Sequence, residues 1–554
     1  MKKIYMYMLL SMTMLFVSCD FLDFDESVGK SKDYMYAYFD ETKKVVSHIY
    51  AQLPSDWGDI DNALRECATD NAVYVWSDSD ITGFYDGSWS AANPIENAWA
   101  NYYAAIRSAN LFLETFTLDN YKKFAQNEDY PELIKVTALY PYEVRFLRAF
   151  FYFELAKRYG DIPLIKDILS EEEANRVKQT PFEDIIRFIA DECDAIKNEL
   201  PVSYASLPQA ETGRVTRGAC MALKSRALLY AASPLFNKNG NTEQYEKAVA
   251  ASWELIDNVL REKWYTLVKD EVMWGNGNAA LQSKQLILER RGGESNSFEQ
   301  KNFPIGYEGG NTGTCPSQNL IDAFERSGKE FDWENPLHTA DPYKLRDVRL
   351  DMTVLRNGSD WQNETVETFY NGRNGQPLYG ATLTGYYLKK YLDSSVSFKP
   401  NSMTKRPHHY ILFRYAEILL NYAEALYEWK NDPDYKDAIY TLSPREALNQ
   451  VRARVGATAI PTTVLGEDFK NRLRNERRVE FAFEDHRFWD IRRWMIGEQT
   501  KNIYGIKISQ GSDGKYMYEK VPVQERIWED KMYLYPIPQS ELLINAQLKQ
   551  NVGW

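Results

Sequence analysis

The stretch YILFRYAEILLNYAEALYEW, Tyr410 to Trp429, constrains the fold more than any other part of the chain. Leu412, Tyr415, Leu419, Tyr422 and Leu426 recur at spacings of three and four, which is one stripe of an α-helix. Similar stretches follow, with punctuated ends. PYEVRFLRAFFYFELAKRYG opens with Pro141 in a first turn and closes on Gly160, and Pro163 prevents continuation. TRGACMALKSRALLYAASPLF is rich in Ala and Leu and stops before Pro234, and PIENAWANYYAAIRSANLFLE is a further helix. SPREALNQVRAR supplies Ser443 as cap, Pro444 in the first turn and Glu446 at the capping-box position. Faces of alanine and aromatic residues suit paired helices stacked as in tetratricopeptide arrays, although no strict repeat period survives. The expected fold class is mostly α: a tetratricopeptide-like helical-repeat scaffold with long loops and short strands inserted.

The 554 residues exceed a typical domain of about 100–200, so a large core is available, in two lobes or one helical body. We expect an N-terminal helical region over 34–240 and a C-terminal region over 241–554. Between Trp264 and Pro407 the composition shifts to Gly, Asn, Thr and Tyr, as in WGNGN, YEGGNTGT and YNGRNG, which reads as a loop-rich insertion. Long ordered loops on a rigid scaffold are where binding concentrates.

At the start, Lys2 and Lys3 precede an uncharged, mostly apolar run from Ile4 to Val17. The run is shorter than the roughly 20 residues of a membrane-spanning helix and reads as a signal sequence. It ends in FVSCDFLDFDE, where Ser18 supplies a small residue before the lone Cys19. This is the arrangement of a bacterial lipoprotein signal, although Phe16 stands where leucine is usual. Residues 1–18 are then removed, Cys19 carries the lipid, and 19–33 form an acidic tether. Each buried methylene contributes about 0.8 kcal/mol, so two or three acyl chains anchor the protein without its spanning the bilayer. The plainer alternative is a secretory signal with Cys19 an incidental thiol.

A net charge of −13 argues against nucleic-acid backbones and against an electrostatic grip on anionic lipid. Cys67, Cys193, Cys220 and Cys315 lie far apart, with no C-x-x-C and no His at ligand spacing, so we expect buried free thiols rather than a zinc site. The aromatic excess (38 Tyr, 26 Phe, 14 Trp) predicts aromatic packing and offers rings to a ligand.

Six stretches then point to a family. NAWANYYAAIRSAN, EVRFLRAFFYFELAKRYGDIPLI, GRVTRGACMALKSRALLYAASPLFN, FRYAEILLNYAEALYE, ERRVEFAFEDHRFWDIRRW and the terminal YLYPIPQSELLINAQLKQNVGW occur in this order. Together they make the mature chain resemble the SusD/RagB outer-membrane lipoproteins of Bacteroidetes, departing at Val552, where Pro is usual. The resemblance implies a non-catalytic surface lipoprotein, with CDFLDFDE similar to the acidic surface-export signal of that phylum. It implies a lid over a SusC-like TonB-dependent transporter, to which a nutrient glycan is passed. RagB-type members imply peptide capture as the alternative. No cofactor is expected.

A glycan needs aromatic faces for its apolar side and Asn, Asp or Arg for its hydroxyls. ATDNAVYVWSDSDITGFYDGSWSAANP offers Asp70, Asn71, Trp76, Asp78, Asp80, Tyr85, Trp89 and Asn93. The starch-binding member touches sugar through a loop Trp and an Asn four residues later before a Pro, and the resemblance carries that role to Trp89 and Asn93. Trp274, Tyr307 and Trp361 are candidates from the insertion. Glu480 and Glu484 share a helical face beside His486, but glycosidase carboxylates face each other across the scissile bond. Amid Arg477, Arg478 and Arg487 an ion-pair network is the better reading, and H-E-x-x-H, G-x-S-x-G and P-loop patterns are absent. His408 and His409 precede a predicted helix and could bind a metal, but a lone adjacent pair is more often a loop, which is the expectation. DWGDIDN has oxygen spacing compatible with a structural calcium ion but lacks the EF-hand glutamate.

Overall fold

The computed structural model describes residues 31–554 except 56, 97, 269–273 and 275–277. Cys19, the signal and most of the acidic tether lie outside the described residues. The scaffold is a run of helices, each packed on the next: α2 (Ala98–Thr115), α3 (Tyr140–Tyr159), α4 (Phe182–Ile196), α5 (Arg217–Ala232) and α6 (Thr242–Glu262). A short α7 (Ser297–Asn302) lies in the insertion, and α8 (Tyr415–Lys430) returns to pack on α6 and on α9 (Pro444–Arg454). The helices α10 (Gly466–Glu480) and α11 (Arg487–Arg493) complete the body, and α1 (Phe39–Tyr50) covers α3.

Helix ends follow the local chemistry. Pro141 lies in the first turn of α3, and Gly160 ends it at φ 72°, a conformation that costs glycine little. Ser443 and Glu446 close a reciprocal capping box at the start of α9. The middle of α8 is buried on all sides, so its polar residues need partners inside. Glu417 binds Arg226, Glu424 binds Arg493, and Asn421 accepts from Arg477 at 2.7 Å. One core runs from Tyr36 to Leu548, and each buried Phe or Leu in it contributes about 1.5–3 kcal/mol. Cys67, Cys193, Cys220 and Cys315 are buried free thiols.

Two expectations change. Leu412 does not belong to the helical stripe, and His408 and His409 are not in a loop. All three lie in a strand, Arg406–Arg414, that pairs antiparallel with β4 (Leu286–Ser295). A partner far upstream takes up the backbone groups of PHHYILFR, which local periodicity cannot sense, and α8 starts only at Tyr415. The antiparallel hairpin of Asn502–Gln510 and Tyr516–Glu525 was not expected, although NIYGIKIS alternates and GSDG is turn-like.

The insertion carries short strands and a second small core of Phe303, Tyr307, Leu355, Trp361, Val366, Tyr387 and Val396. The strands β1 (Asp59–Ile60) and β2 (Ala63–Leu64) form a hairpin through Asp61 and Asn62, both at positive φ (46° and 70°). Asp and Asn tolerate that two-residue turn. Over its described residues DWGDIDN is a hairpin, and Asp59 is engaged by Lys301 at 2.6 Å. The strand β3 (Ala72–Tyr74) pairs with β5 (Thr314–Pro316), Tyr74 opposite Thr314.

Candidate functional site

The β3–β5 pairing holds two loops side by side. Val75 N–H donates to the Gly313 carbonyl at 3.0 Å, and the next residue, Trp76, donates its indole N–H to the Asn311 carbonyl at 3.0 Å. Thr312 (φ 65°) donates its hydroxyl to the Gly380 carbonyl and so draws in a third loop. That loop lays Tyr379 beside Trp76, with ring centroids 5.5 Å apart and planes at 55°. Gly380 is favoured as glycine: its φ is 77°, and an added Cβ would lie 3.0 Å from the Trp76 ring. Tyr379 is 83% exposed and Trp76 half-buried, so the pair forms an aromatic ledge open to solvent.

Beside the ledge lies a cavity of about 550 Å³ lined by Asn62, Tyr74, Ser297, Gln300, Lys301 and Asn311, with Gly309 and Gly310 between them. Its lining carries amide, hydroxyl and ammonium groups, and Asn311 joins it to the ledge. The Tyr74 phenol is held above its usual pKa by burial, then by Cys67, Asp61, Asp59 and Asp78, and stays a hydrogen-bond donor. Flat rings next to convergent polar groups can hold the apolar face of a sugar and its hydroxyls together.

The SusD family model matches residues 270–554, more than half of the chain, and one described as starch-binding associating with outer membrane matches residues 20–229. The chain belongs to the SusD family. SusD-like protein P2 of Formosa agariphila is 24% identical over 469 residues, which is 82% of this chain and 79% of that one. A SusD-like protein of Bacteroides fragilis superposes with a TM-score of 0.77 at 27% identity, covering 95% of this chain and 99% of that one. A laminarin-binding SusD-like protein superposes at 0.61 with 19% identity, covering 93% and 99%. The mostly α, tetratricopeptide-like fold is shared with these SusD-like structures.

Within this SusD-family fold only one of the expected aromatic residues, Trp76, reaches an open surface. Trp89 is 3% exposed, packed edge-on against Phe84, Tyr535 and Trp554, each with ring centroids 4.8 Å away. Its faces are taken by the core, which corrects its expected role as a sugar platform. Asn93 is exposed, but it stands in that same turn, its N–H donating to the Ser90 carbonyl, and is not among the residues of the ledge or its cavity. Trp361 and Tyr307 are buried in the second core, where the Tyr307 hydroxyl accepts from Arg373 at 3.2 Å. Trp274 is buried with the Lys390 ammonium 4.4 Å from its ring centroid. Asp70 is buried between Arg478 and Arg487, each at 2.9 Å. Burial alone would raise its pKa, but the two guanidiniums outweigh it and hold the carboxyl well below the usual range. These four are core groups, not ligand groups.

The Glu480 and Glu484 pair is the expected ion network. Glu480 meets Arg454 and Arg414 at 2.6 Å and Arg349 at 2.9 Å, and Glu484 meets Arg414 and Lys390 at 2.7 Å. Burial opposes the ionisation of Glu480, yet those three guanidiniums keep it charged. His486 stacks on Phe481 at 4.4 Å, and burial, then Arg226 and Arg477, keeps it neutral. Sequence reasoning missed Tyr379, Asn62, Gln300 and Asn311. The sole signal for Tyr379 was its place between Pro377 and Gly380 in the loop-rich insertion.

Proposed function

We propose that this SusD-family chain is a non-catalytic surface lipoprotein, anchored through lipid on Cys19, that captures a nutrient glycan on the Trp76–Tyr379 ledge. It passes the glycan to a SusC-like TonB-dependent transporter in the outer membrane. The observation that carries this reading is the ledge itself: an indole locked by its N–H to Asn311, an open phenol beside it, and a polar cavity alongside. Family membership and the laminarin-binding relative support a glycan as the ligand. The saturated ion pairs of Glu480 and Glu484 support a binding rather than a hydrolytic role. Among the described residues no helix is long and apolar enough to cross a membrane, which fits attachment by lipid alone.

Isothermal calorimetry of the lipid-free protein against plant, host and microbial oligosaccharides tests this, with a Trp76→Ala/Tyr379→Ala variant alongside. Binding to at least one glycan that disappears in the double variant is expected. Silence across the panel, or binding to mixed proteolytic peptides instead, overturns the glycan reading.

A further inference from the structure

Resting on the reading of the ledge as a glycan site, we infer that this site selects uncharged or amino-bearing saccharides and turns away sulfated and uronate-rich ones. Three segments that carry ledge or cavity residues also carry exposed carboxylates. Asp61 stands exposed at the tip of the β1–β2 turn, and its Oδ2 accepts the N–H of Asp80 at 3.1 Å. That bond brings Asp80 to the hairpin, and Asp78, also exposed, follows Trp76 by two residues. Glu308 is exposed on the turn that leads through Gly309 and Gly310 to Asn311. None of these four makes an ion pair among the described residues. The cation lining the cavity, Lys301, is already neutralised by Asp59 at 2.6 Å. The Tyr74 phenol, inside the cavity, is under the field of Asp61, Asp59 and Asp78.

Free carboxylates are strong acceptors for sugar hydroxyls and stronger ones for an ammonium group. The same charges repel a ligand sulfate or carboxylate at distances within a Debye length, about 8 Å at physiological salt. Several such charges acting together penalise an anionic ligand on the order of five- to tenfold at low salt, and less as salt rises.

The test uses matched probes in calorimetry and affinity electrophoresis. They are neutral β-glucan, α-glucan and xylan oligosaccharides, their sulfated or carboxymethylated derivatives, and glucosamine oligosaccharides. The native protein should bind at least one neutral or amino-bearing member and bind its anionic counterpart at least about fivefold more weakly at low salt, the gap narrowing at high salt. In Asp78→Asn/Asp80→Asn/Glu308→Gln, the neutral-to-anionic affinity ratio should move toward one. Equal or tighter binding of anionic probes, lost with Trp76→Ala, overturns the charge selection and leaves the glycan site standing. An unchanged ratio in the triple variant also overturns it. Silence toward every probe overturns both readings.

Discussion

Two regions of this molecule hold the residue types that chemistry uses, and they differ in how those residues are satisfied. Around Glu480 and Glu484, carboxylates, guanidiniums and an imidazole crowd together, yet both glutamates are buried and every oxygen of the two meets a cation. At the Trp76–Tyr379 ledge, rings and carboxylates face solvent and several lack a partner among the described residues. Density of functional groups marks the first region, and unspent capacity marks the second. Unspent capacity is what a ligand can use, whereas a saturated cluster holds parts of the chain together.

The largest expected effect sharpens that contrast from the buried side. Glu480→Ala leaves Arg349, Arg414 and Arg454 facing one another and should cost about 3–5 kcal/mol, read as a fall in denaturant midpoint. Oligosaccharide turnover by the native protein that is abolished in Glu480→Gln would break the contrast and make the cluster catalytic. Trp89→Ala should also cost about 3–5 kcal/mol by opening an aromatic cavity, while glycan affinity of the protein that remains folded is retained.

Acid should separate the regions next. Burial works against the ionised forms of Glu424 and Glu96, but Arg493 for the first, and Arg158 with Arg65 for the second, bring both pKa values down from 4.5 to about 2. Their stabilisation is complete above the unfolded value and is lost as pH falls from 4.5 toward 2. A melting-temperature series should therefore drop steeply through that window, with a shallower fall in Glu424→Gln. At the ledge, Trp76→Ala should weaken glycan binding by roughly tenfold or more, about 1.4 kcal/mol, with little change in melting temperature. Smallest is Gly380→Ala, which strains a positive φ and presses on the Trp76 ring. It should cost about 1 kcal/mol of stability and a few-fold in affinity.

Helices, caps and family were legible because their signals are local. Pro141, Gly160, Ser443 and Glu446 act within a turn of where they stand, and each performs the role its spacing suggests. The aromatic candidates were not legible in the same way. Trp89 reads as a loop ring until Tyr535 and Trp554, more than four hundred residues on, are seen to close over it. Tyr307 and Trp361 sit in loops by composition, yet the insertion has a core of its own for them to fill. Trp76 and Trp89 stand in one polar stretch, and no local pattern distinguishes the ring that is covered from the one left open. Leu412 shows the converse error, a helical spacing inside a strand whose partner lies far upstream.

The pairing of distant segments also has a consequence for biogenesis. Arg65 finds Asp485, Asp70 finds Arg487, and Trp89 finds Tyr535 only when the last quarter of the chain is present. High sequence separation of native contacts slows folding, because the loop must close before the contact rewards it. A nascent chain thus carries bare aromatic rings and unmatched charges from its first hundred residues until its final ones arrive. In that interval the exposed apolar surface favours association with other chains, and the ledge has no rigid frame on which to form.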